Sequence, residues 1–263
     1  MKAFGASHIG NSRTNQEDNL LMGSEYLDLL SVRDISRDSP YVQLEYVNEG
    51  RYTLLAVSDG MGGHASGEIA SHMTVKYLAE NYASMVDAEK TELISLISAL
   101  NREIVSEAGM CPEYKGMGAT LCGFVCRDHK ILGFNVGDSR LYRFEGGVLR
   151  QLSKDHSEGQ RLLDLKLLTE EELKNFPNRK AIYKYVGMRS DLVADVFDIE
   201  PCPKGTILLL CSDGLSDVLN QAEIAHILSG NTSIQAKIDA LMGTALSRNV
   251  GHGDNITIIL TEF

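Results

Sequence analysis

Residues 53–64 read TLLAVSDGMGGH, an apolar run followed by an acid and a glycine-rich turn. A short apolar run that ends in a turn signal is typical of a buried strand. Asp59 then lies where the strand ends, and the glycines that follow let the backbone turn tightly beside a ligand. Asp-Gly is also a frequent pair in ordinary turns. The stretch alone therefore leaves a metal ligand and a plain turn both open.

The pattern returns near the C-terminal end. Residues 207–214 read ILLLCSDG, and Asp213 again ends an apolar run, whereas Asp254 precedes the apolar run 256–260. If these strands share one sheet, with the last antiparallel to the other two, the three acids meet at one rim. Like charges that close repel unless a cation lies among them. Oxygen ligands suit magnesium or manganese rather than zinc.

Composition limits the classes of protein that fit. The chain has 263 residues, of which 43% are hydrophobic and 23% charged, so one large domain is expected and two small ones are an alternative. We treat residues 1–263 as one domain. The formal net charge of -11 argues against a general nucleic-acid or anionic-membrane surface.

Cysteine usage and the absence of targeting patterns indicate a compartment. The five cysteines are odd in number and form no C-x-x-C pair, which is typical of reduced thiols in a cytoplasmic protein. The first residues, MKAFG, lack the long apolar region of a signal peptide. No apolar window approaches the length of a membrane span.

Periodicity predicts an alternation of strand runs and helix pairs. The predicted strands are 3–9, 20–22, 41–47, 52–58, 118–126, 130–136, 140–144, 148–152, 193–198, 206–212 and 255–262. The predicted helices are 66–82, 87–108, 160–165, 170–176, 220–230 and 233–248. This order favours an α+β fold, a four-layer α/β/β/α sandwich of two mainly antiparallel sheets, each flanked by a helix pair.

Predicted caps set some of these boundaries. Asp87 is expected to cap the helix over 87–108 and Gly109 to end it. Thr169 with Glu172 has the spacing of a capping box.

Two segments interrupt this rhythm. Residues 24–50 contain a polar stretch, 31–40, that is predicted to be a loop, and residues 153–190 form an irregular charged excursion that we interpret as a flap.

The polar run 11–19 has two interpretations. Arg13 followed by two acids is either a solvated loop with an ion pair or a loop that brings charges to a site, and spacing alone favours the former.

Taken together, these motifs resemble the metal-dependent protein phosphatases of type 2C, the PPM family of serine/threonine phosphatases. The motifs that carry the resemblance follow the family's order: RTNQEDN (13–19), SDGMGGH (58–64) with Gly67-Glu68, GMGAT (116–120), GDSR (137–140), Asp155-His156, SDGL (212–215) and GDN (253–255). The DGMGGH form is similar to the bacterial branch. The ordered set covers nearly the whole chain.

The resemblance implies a β-sandwich with a dinuclear metal site at one rim, holding two Mn²⁺ or Mg²⁺ ions. Asp59 would bridge the two ions. Asp213 and Asp254 would hold one of them. Glu17 and the carbonyl of Gly60 would hold the other.

Further roles follow from the same resemblance. Asp18 would lie in the ligand set or just behind it. Asp138, whose turn is otherwise equally typical of an acid that satisfies backbone amides, would hold a weaker third ion together with Asp213. Arg13 would bind the substrate phosphate, which reverses the interpretation that spacing favours for it and for Glu17.

The implied activity is hydrolysis of phosphoserine and phosphothreonine in proteins by a water or hydroxide that bridges the two ions, with no phosphoenzyme. The implied partners are phosphoproteins made by a serine/threonine kinase, and a monomer is expected. Met61 stands where the eukaryotic enzymes have a candidate general acid. His64 and a metal-bound water are the two candidates for that role here, and the interpretation favoured for His64 is a structural histidine near the rim. The alternatives are a small-phosphoester hydrolase and a non-catalytic sensor with the phosphatase fold.

The stretch 24–50 is longer than the family requires and is either a substrate-access element or a passive insertion.

Overall fold

Two antiparallel sheets, packed face to face, form the centre of the molecule. The structure is a computed structural model, and it describes residues 1–36, 41–48, 52–62, 66–128, 130–248 and 253–263. The strands are β1 (Lys2–His8), β2 (Asp18–Met22), β3 (Glu25–Tyr26), β4 (Val42–Val47), β5 (Tyr52–Met61), β6 (Gly118–Ala119), β7 (Leu121–Arg127), β8 (Lys130–Val136), β9 (Arg140–Glu145), β10 (Val148–Gln151), β11 (Asp195–Ile199), β12 (Ile207–Cys211) and β13 (Ile256–Glu262). The helices are α1 (Leu29–Arg33), α2 (Ser66–Glu80), α3 (Tyr82–Asp87), α4 (Lys90–Met110), α5 (Glu158–Asp164), α6 (Glu170–Leu173), α7 (Asp213–Ser216), α8 (Gln221–Leu228) and α9 (Ile234–Arg248).

The strand order makes each sheet a mixture of distant segments. The first sheet runs β10-β9-β12-β13-β1-β4, and the second runs β11-β8-β7-β5-β2-β3, with β6 paired to β5 beyond that path. Helices α2 and α4 cover the second sheet, and α8 and α9 cover the first. The predicted α+β, four-layer α/β/β/α sandwich is therefore confirmed.

The central strands contain continuous apolar runs because both of their faces are buried. In β5, Leu54 packs under the helices, whereas Leu55 lies between the sheets. In β12, Leu208 lies between the sheets and Leu209 faces the α8–α9 layer. Successive side chains of a strand point to opposite faces, so a strand between two apolar layers needs no polar positions.

The expectation that the three acid-bearing strands share one sheet is wrong. β12 and β13 are antiparallel neighbours in the first sheet, and Cys211 lies opposite Ile258. β5 belongs to the second sheet, between β2 and β7. An apolar run shows that a strand is central, but long-range pairing decides which sheet the strand joins. The acids of these strands therefore approach one another across the space between the sheets.

A helix replaces part of the predicted loop 31–40. The Asp28 side chain accepts a hydrogen bond from the Ser31 amide (2.8 Å) and caps α1. Val32 is buried in a small cluster with Ile9 and Leu27, and this packing stabilises so short a helix. Residues 37–40, 49 and 50, which belong to the predicted insertion, lie outside the described part of the chain.

Helix α4 differs from its predicted limits at both ends. It begins at Lys90 behind a capping box of Glu89 and Glu92 rather than behind Asp87, and it continues through Gly109 to Met110. The predicted capping box of Thr169 with Glu172 is confirmed at α6. Within the described residues, no helix has both the length and the apolar character needed to cross a bilayer.

Candidate metal centre

Two acids from the second sheet lie directly opposite each other. β2 and β5 pair antiparallel so that Asp18 is the register partner of Asp59. The Gly60 amide donates to the carbonyl of Glu17 (3.0 Å), which continues the pairing one step beyond β2. Glu17, Asp18, Asp59 and Gly60 therefore lie together at the end of this strand pair.

Gly60 is required by the close approach of three chain segments. A Cβ at this position would lie 2.0 Å from the carbonyl oxygen of Gly67 and 2.7 Å from that of Glu17. Real Cβ atoms do not approach backbone oxygens this closely, so the start of α2 can pack here only against a glycine. The glycine-rich turn thus serves close packing between α2 and the acid-bearing strands.

The first sheet brings Asp213 and Asp254 to the same edge. Asp213 begins α7 directly after β12, and Asp254 lies two residues before β13. Ser212 connects the sheets, because its hydroxyl donates to Asp18 Oδ2 (2.6 Å) and accepts from the Thr257 amide (3.0 Å). Asp18 of the second sheet is therefore hydrogen-bonded to the residue that precedes Asp213 in the first.

Asp138 lies on the turn that passes from β8 in the second sheet to β9 in the first. Its neighbour Ser139 shares a hydrogen bond with the Thr120 hydroxyl (2.7 Å). Thr120 in turn accepts from the Asp59 amide (2.9 Å) and donates its own amide to the Asp59 carbonyl (2.8 Å). Thr120 thus fixes the backbone of Asp59 relative to the Asp138 turn. We call the edge that carries these acids the carboxylate rim, and its members are Glu17, Asp18, Asp59, Asp138, Asp213 and Asp254.

The closeness of the rim acids affects their pKa values. Burial, followed by repulsion from neighbouring carboxylates, raises the pKa of Asp59 and of Asp213 well above the usual value. Burial is also the largest cause that raises the pKa of Asp18 and of Asp138 to about 7. A group of carboxylates with this much mutual repulsion favours cations among them.

The chemistry of the rim fits a hard divalent cation. Asp18 Oδ1 and Asp213 Oδ1 are buried and have no hydrogen-bond partner among the described residues. Buried carboxylate oxygens are costly to leave unpaired, and magnesium and manganese are bound by such oxygens. As the side chains stand, however, no three His, Cys, Asp or Glu groups of the described chain are arranged to hold one ion. The rim therefore supplies suitable atoms but not a closed ligand shell.

Arg13 lies on the exposed loop that precedes β2. Its Nη2 donates to Asp254 Oδ2 (2.6 Å). This hydrogen bond is the largest cause that raises the Arg13 pKa, and the charges of Glu17 and Asp59 add to it. The structure thus brings a guanidinium to the carboxylate rim. His64 lies outside the described residues.

Asn255, which the sequence analysis left without a role, anchors the loop that bears Arg13 and Glu17. Its side-chain oxygen accepts from the Glu17 amide (2.8 Å), and its side-chain nitrogen donates to the carbonyls of Ile9 (2.8 Å) and Asn15 (3.0 Å). Asn255 is 3% exposed. The Gly-Asp-Asn triplet was the signal that could have revealed this role.

His156 was also missed, although the Asp155-His156 pair was noted. Its Nδ1 accepts from the Gly137 amide (2.9 Å), and its own amide donates to the Gly137 carbonyl (2.9 Å). Nε2 lies 3.2 Å from Asp195 Oδ2, and Lys184 Nζ contacts the same aspartate at 2.6 Å. This network joins the flap to the turn that carries Asp138.

Comparisons with known proteins show similarity to protein phosphatases. The family model described as protein phosphatase 2C matches residues 41–247. A serine/threonine phosphatase (Stp) of Listeria innocua is 34% identical over 222 residues, which cover 82% of this chain and 87% of that protein. The protein phosphatase PhpP of Streptococcus pneumoniae is 32% identical over 220 residues, which cover 82% and 88%.

Solved structures extend the similarity to nearly the whole chain. The S. agalactiae serine/threonine phosphatase superposes with a TM-score of 0.82 at 29% identity, covering 99% of this chain and 98% of that one. The Mycobacterium tuberculosis serine/threonine phosphatase PstP/Ppp gives a TM-score of 0.78 at 27% identity, covering 100% and 99%. Both sheets and the rim between them fall within these matches, and the chain belongs to the protein phosphatase 2C family, in its bacterial PPM-type branch.

Proposed function

We propose that this chain hydrolyses phosphoserine and phosphothreonine in proteins, and that two divalent cations assist at the carboxylate rim. The observation that carries the proposal is the gathering of five aspartates from both sheets at one edge, with Arg13 beside them. The named serine/threonine phosphatase relatives support the same reaction. A non-catalytic sensor would have no need to keep so costly a group of acids.

The family is metal-dependent and uses manganese or magnesium. For this chain we propose that Asp59 would serve both ions, that Asp213 and Asp254 would hold one, and that Glu17 and the Gly60 carbonyl would hold the other. When bound, such cations lower the pKa of a water molecule toward neutrality and offset negative charge on the phosphoryl group. The all-oxygen donor set supports this assignment.

Two further acids have supporting roles in this proposal. Asp18 lies at or just behind the ligand set, where the Ser212 hydroxyl orients one of its oxygens and leaves the other for the site. Asp138 and Asp213 would hold a weaker third ion. Both carboxyl groups are buried, and the charge of Asp138 adds to the burial that raises the pKa of Asp213.

The residues of the chain then bind and orient the phosphate. Arg13 places its planar guanidinium against the phosphoryl oxygens, which it can contact through two parallel hydrogen bonds. The water oxygen forms a bond to phosphorus, and the bond from phosphorus to the serine or threonine oxygen breaks. The leaving oxygen takes up a proton, for which His64 is the candidate donor. The products are inorganic phosphate and the unmodified hydroxyl group.

The substrates are phosphoproteins, and we propose that a serine/threonine kinase produces them. We further propose that residues 1–263 form one catalytic domain, because both sheets contribute to the same rim, and that the chain acts as a monomer in the cytoplasm. Its five cysteines are free, which supports a reducing compartment.

The test is hydrolysis of a phosphothreonine peptide with manganese, with magnesium and with excess EDTA, compared with p-nitrophenyl phosphate under the same conditions. We expect cation-dependent turnover that is more efficient on the peptide. Full activity in EDTA would overturn the metal role, and a higher kcat/KM on the small ester would favour the small-phosphoester alternative. Asp198→Asn, an exposed acid on β11, is the matched control for Asp59→Asn and should retain full activity.

A further inference from the structure

The helix of the 24–50 stretch carries an arginine that reaches the start of α2. Arg33 is the last residue of α1, and its Nη2 and Nε donate to Glu68 Oε1 at 2.7 Å and 3.1 Å. Two nitrogens on one carboxylate oxygen hold the two side chains in a defined orientation. The contact joins a segment outside the matched range 41–247 to a helix within it.

Glu68 is an unusual residue to find buried. Its side chain is 6% exposed, whereas that of Arg33 is 55% exposed. A buried carboxylate without a cation is strongly disfavoured, and Arg33 supplies the cation that contacts Glu68 among the described residues. Removal of Arg33 therefore favours a movement of the first turn of α2 that brings Glu68 into contact with water.

The first turn of α2 is in direct contact with the carboxylate rim. A Cβ on Gly67 would lie 2.8 Å from Glu17 Cδ and 2.9 Å from the Gly60 carbonyl carbon. The Glu17 carboxyl group and the Gly60 carbonyl, which the proposed function assigns to one cation, therefore pack against the residue that precedes Glu68. A displacement of this turn moves the surface that supports both groups.

We propose that Arg33 is a positioning residue, which holds the first turn of α2 against Glu17 and Gly60 through its ion pair with Glu68 and so sets the cation affinity of that side of the rim. This inference rests on the proposed function, since it assigns a role to the insertion in the same site. The insertion is then part of the metal centre and is not a passive surface element.

The sign of the effect separates positioning from simple electrostatics. Arg33 carries a positive charge, so its loss would by charge alone tighten the binding of a cation nearby. Loss of positioning has the opposite effect, and residues behind metal ligands typically change affinity by about 10- to 100-fold. A weaker affinity in Arg33→Gln therefore reports on position.

The experiment is a titration of the metal-free protein with Mn²⁺ by calorimetry. We expect Arg33→Gln to weaken Mn²⁺ binding about tenfold, and Arg33→Lys to restore it in part, because lysine keeps the charge but not the planar fork. The double variant Arg33→Gln with Glu68→Gln should bind Mn²⁺ no more weakly than the weaker-binding of the two single variants, because the two side chains act as one pair. Thermal unfolding in EDTA checks that each variant is folded.

The control for the loss of one positive charge is Arg127→Gln, which breaks an arginine–glutamate pair with the exposed Glu89 (2.6 Å) at the end of β7 away from the rim. Its Mn²⁺ affinity should equal that of the wild type. Unchanged or tighter binding in Arg33→Gln overturns the positioning role and leaves the proposed function intact. Failure of the wild-type protein to bind Mn²⁺ overturns both.

Discussion

Replacement of Asn255 by alanine tests whether the loop from Ile9 to Glu17 is held in place by one side chain. The change removes three hydrogen bonds of 2.8 to 3.0 Å between Asn255 and backbone groups of that loop. A hydrogen bond of this kind contributes about 0.5–1.5 kcal/mol net, and a buried group left unpaired costs more. We therefore expect a loss of about 3 kcal/mol in the free energy of unfolding.

The functional consequence should exceed that of lost stability. The released loop carries Arg13 and Glu17, so phosphate binding and cation binding should weaken together. The assay combines urea unfolding in EDTA, calorimetric titration with Mn²⁺, and steady-state kinetics on a phosphothreonine peptide. We expect a raised KM and weaker Mn²⁺ binding at a temperature where the variant is fully folded.

The matched control for Asn255→Ala is Asn101→Ala. Asn101 is also a buried asparagine, 4% exposed, and its side chain bonds the Gly187 amide (2.7 Å) and the Met188 carbonyl (3.0 Å) on a different loop. It should lose a similar amount of stability while it keeps the wild-type Mn²⁺ affinity. The reasoning is refuted if Asn255→Ala unfolds with a free-energy change within about 0.5 kcal/mol of the wild type, or if both variants lose Mn²⁺ affinity equally.

The remaining predictions concern charge. Asp59→Asn should abolish turnover and weaken Mn²⁺ binding, yet raise the melting temperature in EDTA because it relieves repulsion among buried acids; a lower melting temperature would contradict this. Arg13→Ala should mainly raise KM for the phosphopeptide if its contact is equal in the ground and transition states, and steady-state kinetics that show only a lower kcat would argue against that view. The hydrogen bond from His156, followed by the ion pair with Lys184, lowers the pKa of Asp195. The pKa of Asp195 is lower in the folded than in the unfolded state, so its contribution to stability is complete above about pH 4, the unfolded value, and declines below it. The urea midpoint of the wild type should therefore fall more steeply between pH 5 and pH 2 than that of Asp195→Asn.

The sequence predicts the local elements well because their signals are local. Capping residues such as Thr169 mark helix starts, and apolar runs such as that of β5 mark central strands. The sheet to which a strand belongs depends on partners far along the chain, which is why the single-sheet expectation for β5, β12 and β13 was wrong. Helix α1 escaped notice because its stability comes from the packing of Val32 rather than from a repeating pattern.

In the candidate site, too, local signals could be predicted from the sequence and long-range contacts could not. Asp59 and Asp213 stood out because Asp-Gly after an apolar run is visible in the sequence, and Asp254 because it precedes an apolar run. Glu17, Asp18 and Asp138 were singled out only through the family resemblance. The residues that hold these acids were not identified, because Asn255 and His156 act through backbone groups of distant loops. Arg33 has no motif, and its contact with Glu68 exists only because α1 packs beside α2.

The acids of the rim come from both sheets, and this origin affects the stability of the fold as well as catalysis. If the rim holds cations as in the proposed function, each bound ion also stabilises the contact between the two sheets, because an unfolded chain does not bring these acids together. Stability then rises with the logarithm of the free cation concentration above the dissociation constant. A cell rich in manganese would thereby hold more of this protein in its assembled, protease-resistant form than a starved one.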